Sequence, residues 1–244
     1  MNQDSLKKSG NNRIFLVSTF SDRKFIYSDP SPDSLYYSSL FSFNKLDSVY
    51  DSIHYHQVIN RMGWNNGADS GKLLYSVWAE HQYMNYTQNN YVKIINNGKI
   101  GFDGELNNGG RLSLGVNGGY FFYGFNNGNF NIESSLNYNL DSVGNNRIIF
   151  QYLTSKKTPD LYFLRFNNEK VGWVNSFTDE LNTKFGVHFN SNTLNTNLGI
   201  NLHRTNNMVY FDTLIQSKQL KYASHLVSVS LYKSFEIKKI HFNT

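Results

Sequence analysis

Apolar and polar residues alternate with a period of two along much of the chain. Over residues 112–120 the even positions are mainly apolar, as in Leu112, Leu114 and Val116, and the odd positions are small or polar. Residues 129–140 repeat the pattern. Alternation over ten or so residues predicts β-strands with one apolar face.

Other segments alternate in the same way or more weakly. They exceed the five or six residues usual for strands of globular proteins and approach the roughly 9–11 residues that cross a bilayer at a tilt. We see no convincing amphipathic helix. The pattern predicts an all-β fold: an antiparallel transmembrane β-barrel, or a large part of one, with roughly ten to twelve strands. These further segments are residues 12–20, 53–64, 73–84, 99–106, 147–153, 181–190, 194–202, 208–215 and 226–240.

Asparagine is abundant and concentrated in pairs. The chain has 35 Asn and nine Asn-Asn pairs. The codon usage of an AT-rich genome explains the total but not the placement. Asn followed by Gly favours the tight turn of a β-hairpin, so we predict turns at residues 96–98, 107–109 and 126–128.

Composition separates this pattern from that of a soluble sheet. Charged residues make up 17% of the chain, and the net charge is +5. The face opposite the apolar one carries Asn, Ser and Gly rather than dense Lys and Glu, which suits a water-filled lumen. Aromatic runs such as residues 120–123 suit a membrane interface. A soluble β-sandwich with an aromatic core is the alternative.

We predict a single β-barrel domain spanning residues 1–244. Within it, residues 1–12 form a polar N-terminal tail without the apolar stretch of a signal peptide. Residues 21–52, rich in Tyr, Ser and Asp, form a long surface loop. The missing export signal suggests a trimmed chain or a fragment.

No sequence motif indicates catalysis or the binding of a cofactor. The chain has no Cys, no Gly-x-Ser-x-Gly nucleophile elbow and no basic run that would bind nucleic acid. No apolar run is long enough for a membrane helix. His54 and His56 share a face of a strand, but the sequence places no third ligand near them. We therefore predict no enzyme activity, no cofactor and no metal site.

Charged side chains on the polar strand faces are the candidate functional residues. If the barrel forms, they face its lumen, where charges of mixed sign select the solutes that pass. Structural ion pairs are the equally weighted alternative. The candidates are Asp103, Glu105, Arg111, Glu133, Arg147, Lys184 and His188.

Two stretches resemble the Putative porin family of Bacteroidetes outer membranes. Residues 51–60 are similar to that family's Asp-Ser-x-Tyr-Tyr-x-x-Leu-x-Asn stretch entering a strand. Residues 162–168, followed by Trp173, Asn175 and Phe177, resemble its aromatic segment, with Asn167 and Glu169 replacing a Ser and a His. The resemblance covers most of 47–235 in layout and implies an outer-membrane barrel with a pore-like role.

The expected function is passive diffusion of small hydrophilic solutes across the outer membrane, with residues 21–52 narrowing the mouth. The expected partners are the bilayer and the solutes, not nucleic acid; a homo-oligomer or a complex is compatible with this role. One alternative is a secreted or surface β-sandwich that binds carbohydrate or protein. Another is a barrel subunit of a secretion or transport complex.

Overall fold

The computed structural model describes residues 12–31, 49–66, 73–89, 91–108, 110–167, 172–213, 216–237 and 240–243. Nearly all of them lie in strands, with one helical turn among them, α1 (Leu161–Leu164). No helix in this part of the chain is long and apolar enough to cross a membrane. The strands are β1 (Arg13–Asp29), β2 (Val49–Asn65), β3 (Leu73–Gln88), β4 (Tyr91–Asn107), β5 (Leu112–Gly124), β6 (Phe130–Asn139), β7 (Asn146–Lys157), β8 (Arg165–Asn167), β9 (Gly172–Val174), β10 (Glu180–Ser191), β11 (Thr196–Asn206), β12 (Val209–Phe211), β13 (Ser217–Gln219), β14 (Ser224–Ile237) and β15 (Ile240–Asn243).

Eleven of the described strands form one antiparallel sheet in the order β1-β2-β3-β4-β5-β6-β7-β10-β11-β14-β15. Strands that follow each other along the chain are neighbours, except where the short hairpins β8–β9 and β12–β13 intervene. Among the described residues, no ladder joins the edge strands β1 and β15. The predicted all-β antiparallel fold is confirmed, and its main sheet falls within the expected roughly ten to twelve strands.

The first four strands are longer than a membrane crossing requires. β1, β2 and β4 each contain 17 residues, and β3 contains 16. At about 3.3 Å per residue, a strand of this length spans about 55 Å. A strand tilted by about 45° crosses a hydrocarbon core of about 30 Å in about 42 Å. The ends of these strands therefore extend past any apolar layer.

This length corrects the prediction of a surface loop over residues 21–52. Residues 21–29 belong to β1 and residues 49–52 to β2, and the two strands pair as far as Asp29 and Val49. Residues 32–48 lie outside the described part of the chain. The prediction was wrong at its ends because residues 21–29 lack the alternation of apolar and polar residues that marks a strand, and only their pairing with β2 shows that they are extended.

The connections between strands differ at the two ends of the sheet. Residues 66–72, 108–111, 140–145 and 192–195 are short connections, and they share one end, the short-turn end. The longest connections are residues 30–48, 158–179 and 207–223, and all of them lie at the opposite end, the long-loop end. Transmembrane barrels show this asymmetry, with short turns on the periplasmic side and long loops outside.

Of the three predicted Asn-Gly turns, the one at residues 126–128 is confirmed, because β5 and β6 are joined through residues 125–129, where Gly128 has a φ of 85°. The predicted turn at 107–109 falls between β4 and β5, but its residue 109 lies outside the described residues. The third prediction, residues 96–98, is wrong because these residues lie inside β4. A Cβ at Gly98 would lie 2.8 Å from the Phe122 ring. This glycine therefore admits an aromatic ring instead of making a turn.

The segment predicted as a strand over residues 208–215 is also shorter than expected. Of its described residues, 208–213, only Val209–Phe211 is extended, as β12, and it pairs with β13 outside the main sheet. Its Phe211 ring contacts the rings of Tyr162, Phe163 and Trp173. Apolar character in this segment therefore reflects a local cluster and not a membrane-crossing strand.

The register gives the main sheet two chemically different faces. One rung of directly paired residues is apolar across eight strands, and the rung beside it is largely small or polar on the opposite face. We call the two sides the apolar face and the polar face. The first rung is Leu73, Leu106, Leu114, Leu136, Phe150, Val187, Ile200 and Val229; the second is Leu74, Glu105, Gly115, Ser135, Gln151, Gly186, Asn201 and Ser228.

Burial on the two faces is the reverse of that in a soluble protein. Val229 and Leu231 on the apolar face are 67% and 65% exposed, whereas Glu80 and Asn97 on the polar face are 6% and 3% exposed. A small apolar core does form, but it lies on the polar face, where Tyr86 and Ile95 pack against Leu161 of α1. The extensive exposed apolar face marks a surface that meets an apolar medium.

Candidate functional site

Six of the seven predicted site residues share the polar face. The ladder pairs Asp103 with Asn117 and Asn117 with Glu133, and the same rung continues through Leu153 to Lys184. Charges of both signs thus lie along one line across five strands. The alternation in the sequence was sufficient to assign these residues to one face, because side-chain direction in a strand depends on parity. The register of the strands decided that they share one rung.

The other predicted residues lie around this rung. Glu105 and His188 occupy the polar face closer to the short-turn end, and Arg147 follows near the start of β7. Arg111 precedes β5 in the connection to β4, where its carbonyl oxygen accepts a hydrogen bond from the Asn139 backbone (2.8 Å). Arg111 is therefore part of a turn and not of the sheet face.

A polar cavity of about 650 Å³ lies against the polar face toward the short-turn end. Asp103, Glu105 and Glu133 contribute three carboxylates to its lining, and Arg13 contributes a positive charge. Most of the remaining lining is Asn, Ser and Gly. Such a surface is readily hydrated and offers few apolar contacts, so it suits water and small hydrophilic solutes.

A cluster that sequence reasoning missed surrounds Trp78 on the polar face. Arg61 lies 2.6 Å from the Glu80 carboxylate, and its guanidinium carbon lies 4.1 Å from the centre of the Trp78 ring. The indole N–H donates a hydrogen bond to Asp103 (2.8 Å). Asp103 is thus held by a structural partner as well as lining the polar cavity.

Glycine makes room for this indole. A Cβ at Gly101, the residue paired with Trp78, would lie 2.2 Å from an atom of the indole ring. The ring therefore lies flat over the neighbouring strand and fills the space of the missing side chain. Trp78 and Glu80 are two residues apart, so the sequence places them on the same side of a strand. The alternation in β3 is too weak to show that this side is the polar face.

A second missed feature is the connection between β7 and β10, which folds back over the polar face. We call residues 158–167 and 172–177 the cap segment. Its Leu161 is 6% exposed and packs with Tyr86 and Ile95. The guanidinium carbon of Arg165 lies 4.4 Å from the centre of the Tyr91 ring. Since these partners belong to the polar face, the cap segment covers that face at the long-loop end.

Hydrogen bonds and ring stacking fix the internal shape of the cap segment. The Asn175 side-chain amide donates to the Phe163 carbonyl (3.0 Å) and to Ser217 Oγ (2.6 Å). The Trp173 indole donates to the Tyr162 carbonyl (3.0 Å) and stacks on Phe166 at 4.5 Å between ring centres. Trp173 and Asn175 are among the residues that carried the family resemblance, so the resemblance corresponds to a folded structural unit.

The segment between β11 and β14 supports the cap from the side. Phe211 of β12 lies 4.9 Å from Phe163 and 5.6 Å from Tyr162, measured between ring centres. Burial, helped by the nearby Asp51 carboxylate, raises the pKa of the Tyr162 phenol. Tyr162 is therefore neutral at physiological pH and able to donate a hydrogen bond.

A cavity of about 880 Å³ lies between the cap segment and the polar face. Its lining differs from that of the polar cavity, because it combines aromatic rings with amide and charged groups in similar number. The cap segment thus leaves room for solute beside it. Residues that line this cavity include Tyr27, Asp51, Tyr55, Phe125, Asn129 and Tyr162.

These features together define a class of protein. Long antiparallel strands, an exposed apolar face and a polar face covered by an inward-folded connection are typical of a transmembrane β-barrel. The chain belongs to the Putative porin family, which matches residues 3–244. No curated protein matches the chain.

Proposed function

We propose that this protein is an outer-membrane porin that lets small hydrophilic solutes diffuse passively and performs no catalysis. The observation that carries the proposal is the inverted burial of the sheet, in which Val229 is 67% exposed and Glu80 is 6% exposed. In water, such a surface would be a large aggregation liability. In a bilayer, the apolar face contacts lipid tails and the polar face encloses water.

The six predicted residues that lie on the polar face are then lumen candidates, and Arg111 lies in the turn before β5. Asp103, Glu133 and Lys184 lie on one rung of the polar face. Fixed charges of opposite sign on the wall of a narrow pore create a field across it, and this field acts on each passing ion. No binding step is needed for such selection.

The cap segment takes the role that we first assigned to residues 21–52. Its Leu161 is anchored on the polar face at the long-loop end, which is the extracellular end if the usual asymmetry of barrels holds. In this proposal, a cap fixed to the wall narrows the entrance without closing it, since the adjoining cavity of about 880 Å³ remains.

Single-channel conductance in planar bilayers tests both the pore and its cap. We expect the full chain to form ohmic channels, and we expect Leu161→Asp to raise their conductance. A carboxylate cannot be buried against Tyr86 and Ile95 without a large desolvation cost, so the cap segment should detach. Val174→Asp is the matched control, because Val174 lies in the same segment but is 77% exposed.

The outcomes separate the two parts of the proposal. Absence of conductance in the wild-type chain, with assembly verified by heat-modifiable migration on a gel, would contradict the porin function. Conductance that is the same in wild type and in the Leu161 variant would contradict only the role of the cap. An equal rise in the Val174 variant would show that any added charge, and not detachment, changes the current.

A further inference from the structure

Three potential metal ligands meet on the β1–β2 hairpin, far from the polar face. Asp22 Oδ1 lies 2.7 Å from His54 Nε2 and 3.3 Å from His56 Nδ1. One carboxylate oxygen therefore meets both imidazoles. The ligand atoms of all three residues lie within 4.8 Å of one another.

The backbone register produces this convergence. Asp22 on β1 is paired directly with His56 on β2, and His54, two residues away, projects to the same side. The two imidazole rings lie 4.2 Å apart between centres. The sequence showed the histidine pair but not the carboxylate, because Asp22 precedes His54 by 32 residues and only the strand pairing brings them together.

The cluster lies on the outward side of the sheet but beyond its continuous apolar rungs. Its neighbours across the ladder are polar, since Lys24 is paired with His54 and Asn85 with His56, whereas Phe20 and Val58 lie next to it along the strands on the same side. The side-chain oxygen of Asn85 is buried and accepts no hydrogen bond. The three cluster residues are partly exposed, at 34% for His54, 41% for His56 and 49% for Asp22, so no other part of the described chain closes them off.

Two imidazoles and one carboxylate form a donor set that suits zinc. Bonds of about 2.0–2.1 Å to nitrogen and oxygen place tetrahedral ligand atoms about 3.3 Å apart. The separations of 2.7 and 3.3 Å between the carboxylate oxygen and the two ring nitrogens need only small side-chain rotations to reach this value. The fourth position would be open to water, as in sites with three protein ligands.

We propose that Asp22, His54 and His56 form a binding site for a divalent transition-metal ion, represented by Zn²⁺, in the half of the β1–β2 strand pair that is nearer the long-loop end. The bound ion joins β1, an edge strand of the described sheet, to β2. The carboxylate compensates one charge of the ion, and the neighbouring Lys24 ammonium opposes binding. The site is independent of the pore and of any solute that passes through it.

The test is Zn²⁺ titration of the full chain refolded in detergent, with a chromophoric chelator as competitor. We expect one ion per chain in the wild type. Removing an outer-shell partner costs roughly 10–100-fold in metal affinity, so the variant His54→Gln/His56→Gln should lose more than this. Asp22→Asn should also weaken binding, whereas Lys24→Gln should strengthen it by removing the opposing charge.

His81→Gln is the matched control. His81 is an exposed histidine on the same side of the sheet, paired with Asn60 and Gly98, and it lies outside the cluster. Bound Co²⁺ supplies a second readout, because its visible absorption reports imidazole and carboxylate ligation in the wild type. The proposal is overturned if the cluster variants bind Zn²⁺ as tightly as the wild type, or if His81→Gln loses as much affinity as they do.

Discussion

An arginine introduced on the apolar face of β5 should impair assembly, whereas an arginine introduced on its polar face should not. Leu114 is paired with Leu106 and Leu136 in the apolar rung. Asn117, three residues later, is paired on the other face with Asp103 and Glu133. We predict that Leu114→Arg prevents or greatly slows assembly, whereas Asn117→Arg assembles.

The magnitude follows from where the added charge would lie. Arginine on the lipid face of a barrel costs about 2–4 kcal/mol at the midplane and about 0–1 kcal/mol near the interfaces, and a lumen substitution costs far less. Leu114 is the third residue of β5, so the midplane cost is the upper limit. At about 1.4 kcal/mol per factor of ten, Leu114→Arg should lower the folding equilibrium constant by up to about 700-fold. An arginine at position 117 would instead have two carboxylates, Asp103 and Glu133, on the adjacent strands.

The assay is urea-dependent folding into lipid vesicles, followed by heat-modifiable migration on a gel. The two variants carry the same added side chain on the same strand, so differences in expression or net charge cancel. Equal folding of the two variants would refute the assignment of the faces. Greater damage from Asn117→Arg would mean that the polar face, and not the apolar face, packs against an apolar partner.

Two further predictions concern charge. We expect Arg111→Ser combined with Lys184→Ser to shift the permeability ratio toward cations, because two positive charges near the proposed pore are lost; an unchanged reversal potential across a salt gradient would argue against this role. The second prediction concerns Asp141 in the β6–β7 turn, whose pKa is lowered overall. Desolvation raises this pKa, but hydrogen bonds to the carboxylate outweigh that effect. They are donated by the backbone N–H groups of Asn145, Gly144 and Asn146 and by the Asn146 side chain. The hydrogen bonds to ionised Asp141 therefore stabilise the turn at pH values above the ordinary carboxyl pKa of about 3.9. This stabilisation is lost as the pH falls through the lowered pKa of Asp141. Urea unfolding of Asp141→Asn should accordingly show a deficit near neutral pH that disappears in acid, and a deficit that persists in acid would contradict the mechanism.

The predicted site residues show which features an alternating sequence pattern can assign and which it cannot. Asp103, Glu133 and Lys184 could be assigned to one face because side-chain direction in a strand depends only on parity. Their alignment along one rung could not be assigned, since it depends on the register of five strands. The bond between Asp103 and the Trp78 indole was equally inaccessible, because the two residues lie 25 positions apart.

The alternation of apolar with small polar residues determined the all-β class and the two faces of the sheet, because the period of a strand is a property of the backbone. Tertiary structure alone decided where the strands end, where the cap segment lies and which side chains meet. Residues 21–29 show no alternation of apolar and polar residues, so they resemble a loop until they are paired with β2. Leu161 reaches the polar face, and Asp22 reaches His54, only through contacts between distant parts of the chain, and such contacts leave no periodic signal in the sequence.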